Sequence, residues 1–270
     1  PNVIAASNPN TLVILRQKES ETSLETLDAK KTQDLRLYLF EIGARFSDVF
    51  GADNVLWVEG DTEEICFPMI LERIAKRPLL GTSILGVQNT GDFKGRHKEL
   101  VLQLYERLTD TSSLIPPAAG FLFDDEGLSA QKRHELSNRP KNPVTFLPRR
   151  MFENYLLNPL AISKIANAIE GFSPTPLTPD DIEQWISGKR AETKYFDQGI
   201  TDPATLGASW MNRVDGARLL KDLFSELSDK RVTYDKLIHS VALAEWIVHN
   251  SPADLTQISE LLVRLLSTSS

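Results

Sequence analysis

Glu59, Glu63, Asp124, Glu126 and Glu153 are the side chains of this sequence whose type and spacing could hold a hard cation. Glu59 follows directly on the apolar run Val55-Leu56-Trp57-Val58, and Glu63 comes four residues later. If Glu59 ends a strand and Glu63 sits in the first turn of the next helix, both carboxylates reach one crevice. Gly60 lets the backbone turn tightly there or approach a ligand. Asp124 and Glu126 follow a second apolar run, Gly120 to Phe123, and alternation puts them on one face if the chain stays extended. Oxygen ligands so spaced suit Mg²⁺ or Mn²⁺, held by a few carboxylates together with substrate phosphate. The bland alternative is that acids after strands are solvated loop residues or helix caps; two such pairs after two strands of one sheet weigh against it. Glu153 lies in the aromatic and aliphatic stretch Met151-Phe152-Glu153-Asn154-Tyr155-Leu156. Burying it unpaired would cost several kcal/mol, so it calls for a metal or an arginine, with Arg149 and Arg150 the nearest salt-bridge partners.

Basic residues lie beside these acids. Between Leu128 and Glu153 six Lys or Arg stand against two Glu, a local +4. Lys132, Arg133, Arg149 and Arg150 there, with Lys94 and Arg96 in the Gly-containing segment Asn89 to Lys98, are candidates for nucleic-acid phosphates; a solvated face is the alternative. Lys236 and His239, three apart, share one side of a helix, as helix-surface residues do by default. The histidines at 97, 134, 239 and 249 form no metal-spaced motif, and Cys66 reads as a buried core thiol. Tyr155, Trp185, Trp210 and Trp246 read as packing residues.

The elements that must position these groups follow an α/β rhythm from Asn54 to Pro148. Four short apolar runs, at Val55–Val58, Ser83–Val87, Gly120–Phe123 and Pro143–Leu147, are predicted strands. Predicted helices lie between them, one carrying Ile65, Met69, Leu71 and Ile74, another over Lys94 to Leu108. That order implies crossover units on a mostly parallel sheet, with ligands bound beyond the carboxyl ends of the strands. Glu59 and Asp124 are therefore expected at one sheet edge. Upstream, Val3–Ala6 and Leu12–Leu15 read as strands around a turn, Arg16 to Asp34 as an exposed connector, and Leu35 to Phe50 as a helix. Beyond Arg150 the pattern is helical. Helices are predicted to open at Asn158-Pro159, at Thr178-Pro179-Asp180-Asp181 and at Ser251-Pro252-Ala253-Asp254. Stripes run along Val214, Ala217, Leu220, Leu223 and Leu227 and along Leu237, Val241, Ala244 and Val248. Lys189 to Ala208 is expected to be a mobile loop.

The 270 residues carry 30 Lys and Arg against 37 Asp and Glu, a net −7. That balance argues against a non-specific nucleic-acid coat, yet it is compatible with a nuclease whose acids hold metal. No apolar run is long enough to span a bilayer, and a single cysteine makes no internal disulfide, so a reducing, cytoplasmic setting and no membrane are expected. The chain starts on Pro rather than Met, directly before an apolar run, and reads as part of something longer.

Glu59-Gly60-Asp61-Thr62-Glu63-Glu64, joined to Phe121-Leu122-Phe123-Asp124-Asp125-Glu126 and to Arg150-Met151-Phe152-Glu153-Asn154-Tyr155-Leu156, resembles the Toprim domain of the OLD (overcoming lysogenisation defect) nucleases. The resemblance covers Asn54 to Leu157 well and the helical remainder more loosely. It implies a Toprim-like α/β fold, a mostly parallel sheet flanked by helices with a C-terminal helical extension. The implied division is the end of an ATPase domain plus connector over 1–34, a nuclease core over 35–157 and the extension over 158–270. The implied activity is divalent-metal-dependent hydrolysis of DNA, as endonuclease or nickase, within an ATPase-coupled anti-phage defence protein. Glu59, Glu63, Asp124, Glu126 and Glu153 would hold Mg²⁺ or Mn²⁺, and Lys236 would be the distal catalytic lysine. ATP would enter only through the preceding domain. Implied partners are DNA, that ATPase domain, a second copy of the chain and a further defence-system protein. Glu126 stands where the family has the second Asp of Asp-x-Asp, and Ser7 where it has the histidine of Thr-His-Ser-Pro. Residues 3–15 are expected to pair outside the central sheet. The competing reading is a catalytically silent scaffold that binds a partner or transmits the state of an ATPase.

Overall fold

A computed structural model describes residues 11–18, 21–28, 54–79, 81–86, 118–125, 129–139, 144–197 and 199–267. Four strands form one parallel sheet: β3 (Asn54–Val58), β4 (Thr82–Gly86), β5 (Ala118–Phe123) and β6 (Val144–Phe146), in the order β4-β3-β5-β6. Val55 to Val58 are at most 2% exposed, because a central strand covered on both faces needs apolar side chains in both directions. The first strand of this sheet has the second on one side and the third on the other. That reversal opens a crevice at the carboxyl ends of β3 and β5, the place where open α/β sheets bind ligands.

Helix α1 (Asp61–Arg73) follows β3, and α2 (Ala130–Ser137) precedes β6. The buried row of α1 is Thr62, Glu63, Cys66, Phe67, Ile70 and Leu71; Ile65 is 47% exposed and Met69 and Ile74 are half-buried. Of the residues expected to be buried in part, Leu71 is in this row and Met69 and Ile74 flank it, while Ile65 alone lies outside it. The cause is tertiary, since α1 packs on the sheet strand at Thr82–Gly86 and also on two helices of the C-terminal part, α7 (Val241–Asn250) and α8 (Thr256–Ser267). Arg77, just past α1, donates to the carbonyls of Val263 (3.1 Å) and Leu266 (3.2 Å), placing a cation on the carboxyl end of α8.

The C-terminal extension contains α3 (Pro159–Ala168), α4 (Pro179–Gly188), the short α5 (Trp210–Arg213), α6 (Gly216–Leu227), α7 and α8. Asn158 caps α3, and Thr178 with Asp181 forms a reciprocal capping box on α4, as their sequences predict. One hydrophobic cluster runs from Leu56, Phe67 and Leu122 through Ile162 and Leu220 to Leu243 and Ile258, so the extension shares the core of the sheet.

Three expectations need correction. Lys189–Ala208 is not an open loop, for it makes 3-10 turns at Thr193–Tyr195 and Pro203–Ser209. Tyr195 is buried and donates to Asp222 (2.8 Å), and Phe196 packs on Trp210. A few aromatic anchors outweigh the polar composition. Leu237 leaves the stripe of α7 and is 44% exposed, because Lys236–Ser240 forms a π turn whose additional residue per turn breaks the helical phase. The expected connector contains a strand: β1 (Thr11–Lys18) pairs antiparallel with β2 (Glu21–Asp28) in a sheet separate from the four-stranded one. Ladder hydrogen bonds draw a strand from a polar sequence that has little apolar alternation. Residues 3–6 and the predicted helices at 35–50 and 94–108 lie outside the described residues. No helix among the described residues is long and apolar enough to cross a membrane.

Candidate metal centre

Glu59 leaves the end of β3 and Asp124 the end of β5, and these strands are hydrogen-bonded neighbours. Glu59 Oε2 accepts from the Asp124 backbone N–H at 3.3 Å, so the two acids meet at one sheet edge, as their positions after strands predict. Gly60 caps α1 with extended backbone, and α1 turns Glu63 inward to 2% exposure. Gly86, at the end of β4, closes the other side. Its N–H donates to Glu64 Oε2 at 2.6 Å, and a Cβ there would stand 2.7 Å from the carbonyl carbon and oxygen of Gly60. Only glycine allows β4 to approach the Glu59–Gly60 turn so closely.

Glu153 enters from a 3-10 turn over Phe152–Tyr155. The Phe152 N–H donates to Asp124 Oδ1 at 3.2 Å, and Phe152 packs edge-on against Phe67 of α1. Glu153 is fully buried, and its partner is not Arg149 or Arg150 but Lys236, whose Nζ lies 3.0 Å from Glu153 Oε1. This ion pair is close in distance yet off the hydrogen-bonding direction; both Glu153 oxygens and Glu63 Oε1 are buried without a hydrogen bond.

Electrostatics ties the set together. Burial pushes the Glu63 carboxyl up to about 7; Lys236 opposes this, and Glu153 and Glu59 add to it. Burial, then the charges of Glu63, Glu59 and Glu153, hold Asp124 well above the ordinary carboxylate range against the pull of Lys236. Partial desolvation works against the Lys236 ammonium, but Glu153, Glu63 and Asp124 more than reverse it. Buried carboxylate oxygens without a hydrogen bond, at Glu63 and Glu153, are groups that a hard divalent cation satisfies.

As the side chains stand, no group of three or more His, Cys, Asp and Glu among the described residues is arranged to hold a metal ion. Asp124 and Glu59 each have an oxygen on a backbone amide, and Lys236 stands against Glu153. An ionised carboxylate offers about four acceptor positions, so one such bond leaves capacity for a cation. In donor type, though not in their present arrangement, these carboxylates suit a hard cation.

Glu126, Lys94 and Arg96 lie outside the described residues. The other basic candidates have protein partners: Arg133 with Asp125 at 2.6 Å, Lys132 with Glu135 at 3.8 Å, and Arg150, 10% exposed, with Asp197 at 3.0 Å and Asp215 at 3.9 Å. Arg149 donates to the Asn154 carbonyl at 2.8 Å and lies over the Tyr155 ring. Arg149 thus fastens the turn that carries Glu153, and Arg150 ties the chain just before it to Asp197 and Asp215.

Sequence reasoning misses Asn154 and Gly216, which set the height of that turn. Asn154 Nδ2 donates to the carbonyls of Met211 (2.7 Å) and Val214 (2.9 Å). A Cβ on Gly216 would stand 2.6 Å from Asn154 Oδ1 and 3.0 Å from the Glu153 carbonyl carbon. The adjacency of Asn154 to Glu153 is visible in the chain; its distant partners are not.

A family model described as "Overcoming lysogenization defect protein-like, TOPRIM domain" matches residues 50–102, about a fifth of the chain. The matched residues span β3, α1 and β4, with Glu59 and Glu63, and this stretch is similar to a Toprim domain. Asp124, Glu153 and Lys236 lie beyond the matched residues. No curated protein matches the sequence.

Proposed function

We propose that this crevice is the centre of a divalent-metal-dependent DNA nuclease, in which Glu59, Glu63, Asp124 and Glu153, with Glu126 beside them in sequence, hold Mg²⁺ or Mn²⁺. The observation that carries the reading is the convergence of Glu59 and Asp124 from adjacent strand ends on Glu63, Glu153 and Lys236. When bound, the ion would activate water and stabilise the charge that develops on the phosphate. The acids of the chain would orient around it, and the burial of Glu63, Asp124 and Glu153 keeps bulk water from screening them. The Lys236 ammonium, drawn in by three carboxylates, is available to pair with a phosphate oxygen or the leaving oxygen. The reading extends to hydrolysis of one or both DNA strands, by Mg²⁺ or Mn²⁺, as part of an ATPase-coupled anti-phage protein that assembles with its own copy. Lys132, Arg133, Arg149, Arg150, Lys94 and Arg96 are the proposed phosphate contacts.

The Lys236–Glu153 ion pair favours a second reading, a silent scaffold, because it already neutralises part of the acidic set. Plasmid cleavage by the full parent protein separates the two. The nuclease reading expects cleavage with Mg²⁺ or Mn²⁺, none with chelator, and none after Glu59→Ala or Asp124→Ala. Intact plasmid under both metals, with Glu59→Ala leaving biological activity unchanged, would establish the scaffold.

A further inference from the structure

Lys236 reaches the acids from a turn whose closure involves one imidazole. The Asp235 N–H donates to His239 Nδ1 at 2.7 Å, the His239 N–H donates to the Asp235 carbonyl at 2.8 Å, and the Ile238 N–H donates to Asp235 Oδ1 at 2.8 Å. Because Nδ1 accepts, the proton of the neutral ring is on Nε2. The ring stacks on Tyr234 at 5.5 Å and lies 4.9 Å from Phe224, and the Tyr234 hydroxyl meets Ser240 Oγ at 2.6 Å. Residues on both sides of Lys236 are thus fixed, while the Lys236 side chain is itself 49% exposed. A long, half-exposed side chain gives up rotamer entropy when held in one geometry. Its own packing does not supply that restraint, so the placement of its backbone must. The π turn, a form that concentrates at functional sites, provides the placement.

We propose that His239 is a positioning residue for Lys236: by holding the Asp235 amide on Nδ1 it closes the π turn and aims the ammonium at Glu153. The consequence for cleavage rests on the nuclease reading; the positioning does not. Two substitutions separate its parts. His239→Phe keeps a ring against Phe224 and Tyr234 and removes the acceptor, whereas His239→Asn restores an acceptor near Nδ1 and removes the ring.

Competitive acylation with acetic anhydride, without metal, reads Lys236 directly when its peptide is quantified by mass spectrometry against the exposed Lys221. His239→Phe should label Lys236 roughly threefold faster than wild type, the scale of losing one partly exposed ion pair. His239→Asn should return to the wild-type rate. A wild-type rate in His239→Phe, or an Asn variant that labels like the Phe variant, overturns the proposal. If His239→Phe does not fold, ¹⁵N NMR of the wild-type imidazole decides: an unprotonated Nδ1 at neutral pH supports the role, and a protonated Nδ1 overturns it. The expected labelling pattern in a parent protein that leaves DNA intact under Mg²⁺ and Mn²⁺ supports the positioning role and removes the nuclease reading alone.

Discussion

Glu59 and Asp124 come to the crevice on strand ends, Glu153 and Lys236 on turns, and different forces hold the two pairs. The strand-end acids inherit their place from the register of β3 against β5, a ladder of backbone bonds flanked by the buried apolar side chains of Val55–Val58 and Phe121–Phe123. The turn-borne pair depends on contacts made far along the chain. Asn154 is tied to the segment before α6, Gly216 abuts the Glu153 backbone, and the π turn is closed through His239. Substitutions at the strand ends should therefore act on chemistry with little effect on folding, and substitutions around the turns on both.

The largest effect is expected at Asp124. Asp124→Asn keeps an acceptor for the Phe152 N–H and removes one of four crowded acids. Cleavage should fall by more than the roughly 10–100-fold that loss of an outer-shell metal partner costs. Unfolding by denaturant should show unchanged stability or a gain of roughly 0.5–2 kcal/mol. A variant that cleaves normally would take Asp124 out of the site; one that unfolds would erase the contrast between the two pairs.

Gly216→Ala tests the turn side. The added methyl meets backbone and a buried amide rather than a flexible side-chain end, so roughly 1–3 kcal/mol of stability should be lost together with activity. Equal stability in urea would show that the α6 start can retreat from Glu153 without consequence.

Lys236→Met leaves Glu153 buried without its cation. Breaking a fully buried pair costs about 3–5 kcal/mol; here about half the lysine side chain is in water, so roughly 1–3 kcal/mol is expected. Adding Glu153→Gln should recover most of that loss while activity stays absent. Additive destabilisation in the double mutant would mean that the pair does not matter to folding. The smallest effect belongs to Thr178→Ala in the capping box of α4, remote from both pairs: about 1 kcal/mol of stability and no change in cleavage.

The parallel α/β core, the caps of α3 and α4, and the approach of Glu59 to Asp124 were legible in the residues alone. Each depends on a local signal, an apolar run, a capping residue or an acid just past a strand, that parallel pairing turns into one crevice. Glu153 was legible as a buried acid in need of a partner, but the nearby arginines suggested the wrong one. Tertiary structure alone decided that Lys236 fills that place, that Ile65 of α1 is left exposed, and that Leu237 points to water. These follow from the packing of α7 and α8 on α1 and from a π turn that breaks the 3.6-residue phase. Periodicity reports which residues share a face; it does not report which distant surface that face meets, and close approaches such as Gly86 to Gly60 or Gly216 to Glu153 exist only once two remote backbones are brought together.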